Sequence, residues 1–238
     1  MPLSFFIMIG VFWVYLKYFS GSWRPKSTVE YRKANFRSIQ LSMEIWKWGL
    51  VASMMTVVVI QAMMVLTFRF VDFPTELFQL WVDYDLYPIW AVLGFIVFAA
   101  LTAGIFEEVG FRGYMQVPLE KRYGSRIAIG IVSIMFTVLH FNQLWAPSAI
   151  VVLIVAGILW GILAYLCDSL IPVIVAHVIV DITAYSYWWS GLAAEQKLET
   201  IFITGIDLHF GLWIVILIGS LGGFYVISRK ISKHNQNG

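Results

Sequence analysis

Long apolar stretches alternate with short polar ones along the whole chain. Seven of them are long enough, or nearly so, to cross a hydrocarbon core, which takes about 20 helical residues. The first and fourth are short, and the third is expected to continue as a helix beyond its apolar part. Backbone groups in lipid must find partners within their own segment, so the pattern predicts an all-α, polytopic membrane protein of about seven transmembrane helices. The stretches lie near Leu3–Phe19, Ile45–Phe68, Ile89–Phe106, Arg126–Phe141, Ala149–Cys167, Leu170–Trp188 and Phe210–Ser228.

The composition supports a membrane location. Of the 238 residues 60% are hydrophobic and only 13% are charged, whereas soluble domains carry about 25% charged residues. We expect one membrane domain over residues 1–238, with N-terminal spans in 1–70, a core in 89–189 and a last span in 208–230. The lipid bilayer is the expected partner, and a net charge of +2 gives no indication of nucleic-acid binding. The single Cys167 excludes an internal disulfide.

Lysine and arginine concentrate in alternate connecting segments. They follow the first, third and seventh apolar stretches, whereas acidic residues predominate after the second and the sixth. Cytoplasmic loops carry the excess of Lys and Arg, so we expect a multi-pass cell-membrane protein with its N-terminus outside and its C-terminus in the cytoplasm. The basic residues are Arg24, Lys26, Arg32, Lys33, Arg37, Lys121, Arg122, Arg126, Arg229, Lys230 and Lys233.

Ionisable residues occur where lipid should disfavour them. A charged side chain at the centre of a membrane helix costs about 2.5–3.5 kcal/mol on insertion scales, so such residues usually have a function. Three apolar segments contain them: one ends in Glu107, Glu108 and Arg112, one ends in His140, and one carries His177 and Asp181.

The spacing of these residues predicts pairs. Glu108 and Arg112 are i,i+4 neighbours with the acid first, the favourable order for a helical ion pair, while Glu107 points about 100° away. One carboxylate is therefore left in excess. If the helices on either side of the basic turn 121–125 are antiparallel, Glu107 and His140 stand at similar depth, in a buried polar cavity that we expect to open toward the cytoplasmic side.

His177 and Asp181 form a second i,i+4 pair. Helical rise places His177 at a shallower depth than His140, a difference that helix tilt or a kink at Pro172 would reconcile. A structural reading of both pairs, as helix-bridging contacts without catalysis, remains open.

Several chemistries fit this set of side chains. Carboxylate and imidazole can deprotonate a water while other donors stabilise an oxyanion, as in peptide hydrolysis. Glu, His, His and Asp are also competent zinc ligands, but no H-E-x-x-H occurs, so we expect no cofactor and keep zinc as an alternative. A Ser–His mechanism has less support, since no G-x-S-x-G occurs.

The three segments together resemble the CAAX prenyl endopeptidase and bacteriocin-processing (CPBP, Abi) family of glutamic-type intramembrane proteases. The family pattern is E-E-x-x-x-R, then F-x-x-x-H, then H-x-x-x-N or D. Here it reads Glu107-Glu108…Arg112, Phe136…His140 and His177…Asp181, in order, within about Ile89 to Trp189.

The resemblance implies roles for these residues. Glu107 and His140 would activate the attacking water, Glu108 and Arg112 would shape and polarise the site, and His177 and Asp181 would form the oxyanion side. An ionised Asp181 cannot donate a hydrogen bond as asparagine can, so it must be protonated or must orient His177.

The implied activity is endoproteolysis of a membrane peptide or lipidated protein. One alternative is a non-catalytic bacteriocin-immunity or adaptor protein that uses the same cavity for binding. Another is a transporter or proton relay, although no broken helices or repeated halves are visible.

Overall fold

The structure, a computed structural model, describes residues 3–37, 41–72, 86–142, 149–190 and 199–237. A π-helical segment, Val109–Met115, joins α4 to α5 without a break, and 3₁₀ turns occupy Lys26–Thr28 and His140–Asn142. The helices are α1 (Leu3–Phe19), α2 (Val29–Phe36), α3 (Met43–Thr67), α4 (Ile89–Glu108), α5 (Gln116–Tyr123), α6 (Ser125–Leu139), α7 (Ile150–Cys167), α8 (Ile171–Trp189), α9 (Ile201–Thr204) and α10 (Leu208–Asn237).

The expected all-α membrane architecture is confirmed. Within the described residues, four helical segments are long and apolar enough to cross a membrane: α3, the continuous segment Ile89–Tyr123, α7 and α10. Helices α1, α6 and α8 are apolar but shorter. All seven apolar stretches therefore form helices, and the third continues beyond its apolar part as expected. The single domain over 1–238 stays a prediction.

We call the end of the helix bundle that carries the basic connecting segments the basic end, and the opposite end the acidic end. Residue contacts show which helix termini lie at each end. At the basic end Ser42, before α3, lies 3.4 Å from His234 near the end of α10, and Arg37 forms ion pairs with Glu120 and Asp168. At the acidic end Arg69, just after α3, binds Asp207, just before α10. These contacts show that α3 and α10 run antiparallel.

Small residues allow close approach between helices at two places. On α7, a β-carbon at Gly157 would lie 2.9 Å from Ser133 of α6, so α6 and α7 meet through a Gly-x-x-x-Gly face of the kind common in membranes. On α4, a β-carbon at Gly104 would lie 2.8 Å from Val178 Cγ2 of α8. This second approach brings together the two helices that carry most of the ionisable residues.

Candidate active site

All six ionisable residues singled out by the sequence lie in one cluster. Glu107 and Glu108 are the last two residues of α4, and Arg112 lies in the π-helical segment that follows. His140 comes directly after α6, while His177 and Asp181 lie on α8. The structure thus brings three separate segments of the chain to one point in the helix bundle.

Glu108 accepts two hydrogen bonds from other members of the cluster. Its Oε1 accepts hydrogen bonds from Arg112 Nη1 at 2.9 Å and from His177 Nδ1 at 2.7 Å. The side chains of Glu108 and Arg112 are both 0% exposed. The expected Glu108–Arg112 pair is confirmed, whereas its connection to His177 was not foreseen. Glu108 therefore fixes the imidazole of α8 against α4.

The helical hairpin places Glu107 beside His140. Gly124, with φ +81°, lies between α5 and α6, in a backbone region that glycine adopts without steric cost. Glu107 Oε2 lies 3.7 Å from His140 Nε2 and 3.9 Å from His177 Nε2. It accepts no hydrogen bond from the described part of the chain. The carboxylate therefore faces two imidazoles at distances beyond direct hydrogen bonding.

Helix ends explain how His140 is oriented. Helix α6 stops at Leu139 and tightens into a 3₁₀ turn, in which the backbone N–H of His140 bonds to Thr137 and Val138. The carbonyl of Phe136 is thereby free to contact His140 Nδ1 at 2.7 Å. Because a carbonyl oxygen only accepts, Nδ1 of His140 carries the hydrogen. In neutral His140 the Nε2 facing Glu107 is then a lone-pair acceptor.

The same reasoning applies to His177. Its Nδ1 contacts Glu108 Oε1, which accepts when the carboxylate is ionised, so the hydrogen lies on Nδ1. Its Nε2 faces Asp181 Oδ2 at 3.6 Å as well as Glu107. Four acceptor atoms therefore converge: one oxygen each from Glu107 and Asp181 and one nitrogen from each histidine. Such an arrangement needs water or shared protons between its members.

No kink at Pro172 is needed to reconcile the depths of His140 and His177. Pro172 is the second residue of α8, where a missing N–H removes no helical hydrogen bond. Arg37 contacts the carbonyl of Arg112, and the N–H of Leu170 donates to the carbonyl of Arg37. Helix α8 therefore starts beside the π-helical segment rather than beside the Gly124 turn, which accounts for the apparent difference in depth.

Aromatic rings enclose the polar cluster, and one of them, Trp160, was not predicted to belong to it. The ring of Trp160 on α7 stacks on His177, with centroids 4.4 Å apart and planes 22° apart. The guanidinium of Arg112 lies 4.6 Å from the ring centre of Phe136 and 5.5 Å from that of Trp160. A tryptophan in the middle of an apolar span, away from the membrane interfaces that tryptophan prefers, could have indicated this role.

A second polar network supports the π-helical segment from the basic end. Arg37 pairs with Glu120, which accepts from Gln116 Nε2, and Gln116 Nε2 also donates to the carbonyl of Gly161 on α7. Gln116 and Arg37 are buried. The sequence did not predict this network, because its members follow no motif. Arg37 and Glu120 are 83 residues apart, and Gln116 and Gly161 are 45 residues apart.

A cavity of about 300 Å³ adjoins the cluster. Glu107, His140, His177 and Asp181 line it, and most of the remaining lining is apolar. In size it falls at the lower end of the range for small-molecule sites, which is about 300–1,000 Å³.

A metal ion would need several of these donors arranged around one point. Among the described ranges no group of three or more His, Cys, Asp or Glu residues has the arrangement of a metal site. The expectation that no cofactor is needed stays a prediction, because only a measurement of metal content can test it.

The fold and the cluster define an apolar helix bundle with a buried acid–base centre. Residues 88–183 match the family model described as type II CAAX prenyl endopeptidase Rce1-like, and this segment contains all six clustered residues. This segment is similar to the Rce1-like family, which supports the expected family. The match agrees with the range of about Ile89 to Trp189 given by the motifs. No curated protein and no solved structure matches the chain.

The match to this family supports a membrane endopeptidase in general terms. The catalytic roles of the six residues, the substrate and the orientation in the membrane stay predictions.

Proposed function

We propose that the protein is an intramembrane endopeptidase in which Glu107 and His140 activate a water molecule. The observation that carries this proposal is the pairing of two acceptors, Glu107 Oε2 and His140 Nε2, 3.7 Å apart. A polar separation of this size fits a bridging water, which can donate one hydrogen to each acceptor. The two hydrogen bonds polarise both O–H bonds of the same water molecule.

The proposed reaction follows from this geometry. The water oxygen bonds to the carbonyl carbon of the substrate while its proton passes to the Glu107–His140 pair. The same pair then delivers the proton to the amide nitrogen as the C–N bond breaks, leaving a carboxylic acid and an amine, which become a carboxylate and an ammonium when the second proton of the water transfers from the acid to the amine. No covalent intermediate with the protein forms in this scheme.

His177 and Asp181 would stabilise the oxyanion. A proton placed between His177 Nε2 and Asp181, 3.6 Å apart, converts two acceptors into one donor that can serve the carbonyl oxygen of the substrate. Glu108 and Arg112 do not touch the reacting atoms in this scheme. They hold His177 in position through the hydrogen bond to its Nδ1.

The substrate class follows from the cavity and the family. Apolar walls beside a polar centre suit a peptide that presents an apolar side chain or an attached lipid to the cavity. A membrane-associated or lipidated peptide is therefore the proposed substrate, and whether a prenyl group is involved is a question for the same experiment.

The test compares the membrane peptides of cells that produce the wild type, Glu107→Gln or His140→Ala. Glu30→Gln is the matched control, because Glu30 is 92% exposed and far from the cluster in the chain. Peptides that accumulate with both site variants, but not with the control, are then synthesised and offered to the purified proteins. Only the wild type and the control are expected to cleave them.

Equal cleavage by all four purified proteins would refute the proposed roles. A cellular phenotype that survives Glu107→Gln would favour the immunity or adaptor alternative. Elemental analysis completes the test: a stoichiometric zinc that is lost in His140→Ala would replace the metal-free scheme with a metal-bound water.

A further inference from the structure

The stretch from Glu107 to Arg112 carries three of the six clustered residues, and its backbone is held from outside at both ends. Phe106 lies directly before it, and the hydroxyl of Tyr15 on α1 donates to the carbonyl of Phe106 at 3.0 Å. At the other end Arg37, directly after α2, donates from Nη1 to the carbonyl of Arg112 at 3.3 Å. Both donors belong to the N-terminal part of the chain, which lies outside the segment that the family model matches.

The π-helical segment explains why the carbonyl of Arg112 takes a donor from outside. In an α-helix the N–H of residue 116 would bond to this carbonyl, four positions earlier. Here the N–H of Gln116 bonds to the carbonyls of Phe111 and Gly113 instead, so that of Arg112 loses its α-helical donor. Buried carbonyl groups are nearly always paired, and the Arg37 side chain supplies a partner. Arg37 therefore stabilises a π-helical turn, a feature that occurs frequently at functional sites.

Arg37 also joins this segment to α8. Its carbonyl accepts from the N–H of Leu170, which lies directly before α8, at 3.3 Å. One residue therefore contacts the backbone of both elements whose side chains meet in the hydrogen bond from His177 to Glu108. Arg37 is 5% exposed, and its φ of +47° is a left-handed conformation that residues other than glycine rarely adopt. Such a conformation persists only where the surrounding structure holds it.

Direct contacts fix the rest of the N-terminal part against the same segment. A β-carbon at Gly113 would lie 2.6 Å from the backbone oxygen of Asn35 on α2, so the two backbones touch. The hydroxyl of Tyr114 donates to the carbonyl of Phe19, the last residue of α1, at 2.7 Å. The position of α1 and α2 and the position of the π-helical segment are therefore coupled.

We propose that Arg37 and Tyr15 are positioning residues of the active site. By holding the backbone at both ends of the stretch from Glu107 to Arg112, they keep its carboxylates in place beside the two histidines. Neither side chain lines the cavity, and neither belongs to the family motifs. The role in catalysis rests on the proposed protease function, whereas the hold on the backbone stands on the contacts alone.

Steady-state cleavage of the peptides identified above tests the role in catalysis. Arg37→Met is expected to lower kcat by about 10²-fold, the usual cost of misplacing a catalytic group by about 1 Å. KM should change by less than about twofold, because Arg37 does not line the cavity. Tyr15→Phe removes a single hydroxyl and is expected to lower kcat by about three- to tenfold, the factor that corresponds to one hydrogen bond.

Two matched controls come from the same part of the chain. Arg32 is also a buried arginine, 2% exposed, but its guanidinium donates to backbone carbonyls within residues 18–25. Arg32→Met is therefore expected to lower the unfolding temperature as Arg37→Met does and to leave kcat unchanged. Tyr18→Phe, at a tyrosine of α1 that is 38% exposed, is the control for Tyr15→Phe and should also leave kcat unchanged.

A double variant separates position from stability. Arg37→Met leaves Glu120, whose side chain is 11% exposed, without its cationic partner, and Glu120→Gln removes that uncompensated charge. Arg37→Met/Glu120→Gln is expected to regain unfolding temperature but not kcat, because the carbonyl of Arg112 still lacks its donor. Parallel recovery of both quantities would overturn the proposal. So would a rise in KM at unchanged kcat for Arg37→Met, or an equal loss in kcat for Arg32→Met.

Backbone hydrogen exchange tests the hold on the segment without any substrate. Amides of residues 107–116 are expected to exchange several-fold faster in Arg37→Met and Tyr15→Phe than in the wild type, and at the wild-type rate in Arg32→Met. Unchanged exchange in both positioning variants would overturn the proposal even if cleavage falls.

The two readouts separate the two ways of failing. If the wild type cleaves no peptide, the protease function and the catalytic role fail together, and the exchange pattern alone decides whether these residues hold the segment. If Arg37→Met does not fold, Tyr15→Phe, which removes one oxygen atom, decides both readouts.

Discussion

Replacing Arg112 by methionine is expected to destabilise the protein by about 3–5 kcal/mol, the usual cost of removing one partner from a buried ion pair. Methionine keeps an unbranched apolar side chain in the site, but it is shorter than arginine and lacks the guanidinium that lies over Phe136 and Trp160, so the loss of these contacts adds to the cost. The main cost is that Glu108, whose side chain is 0% exposed, loses the cation that lies 2.9 Å from its carboxylate.

The second half of this prediction is a rescue. Glu108→Gln removes the charge but leaves an amide oxygen that can accept from His177 Nδ1. In the double variant no uncompensated charge is buried, because the ion pair is replaced by two neutral side chains. The double variant is therefore expected to recover at least half of the stability lost in Arg112→Met, which makes the two substitutions non-additive.

The assay is reversible unfolding in mixed detergent micelles, followed by the fluorescence of the 11 tryptophans. Arg122→Met is the matched control, since Arg122 is exposed near the end of the same continuous helix, and about 0.5 kcal/mol or less is expected there. A loss below about 1 kcal/mol for Arg112→Met, or strict additivity in the double variant, would refute the idea that Arg112 compensates a buried carboxylate.

Three further predictions concern packing and pH. Gly104→Ala is expected to destabilise by about 1–3 kcal/mol, because its β-carbon meets Val178 Cγ2 at 2.8 Å, and adding Val178→Ala should restore stability measured by thermal unfolding. Gly157→Val is expected to separate α6 from α7 and lower the unfolding temperature more than Gly222→Val, since Gly222 has open space around it. At the acidic end the hydrogen bond from Arg69 lowers the pKa of Asp207 to about 2. The stability it contributes is complete above about pH 4 and is lost as the pH falls toward about 2, and this loss should vanish in Asp207→Asn.

The sequence predicted those features that depend on local periodicity. Apolar length alone located the seven helices, and helical spacing alone paired Glu108 with Arg112. The position of Glu107 beside His140 followed from equal chain lengths on either side of a turn. Each of these inferences uses a distance along one helix or one hairpin, which the rise per residue fixes.

Contacts between helices distant in the chain could not be predicted in the same way. The hydrogen bond between Glu108 and His177 spans 69 residues and depends on how α4 and α8 are rotated about their axes. That rotation is set by the close approach of Gly104 to Val178, which no sequence motif predicts. The stacking of Trp160 on His177 and the cavity beside it depend likewise on the crossing of several helices.

The charge balance of the cluster gives Asp181 a specific task. Glu107, Glu108 and Asp181 are three carboxylates beside one permanent cation, Arg112, in surroundings that disfavour net charge. A proton shared by His177 and Asp181 offsets one of the two excess negative charges, and it is the proton that serves the oxyanion in the hydrolysis proposed above, whereas the leaving amine takes its proton from the water. Asparagine at position 181 would remove one carboxylate and bring its own N–H donor, so it would not need this shared proton.

Asp181→Asn is therefore expected to keep most of the activity, whereas Asp181→Ala, which supplies no donor, is expected to lose about 10²–10³ in kcat. The pH–rate profile discriminates further, because the asparagine variant should lack the ionisation that limits the wild type when the shared proton leaves. Both variants keep His177 and its hydrogen bond to Glu108, so α8 is expected to hold the same position in each. If Asp181→Asn were as inactive as Asp181→Ala, Asp181 would act as a charged partner that orients His177, and the oxyanion donor would have to be His177 itself.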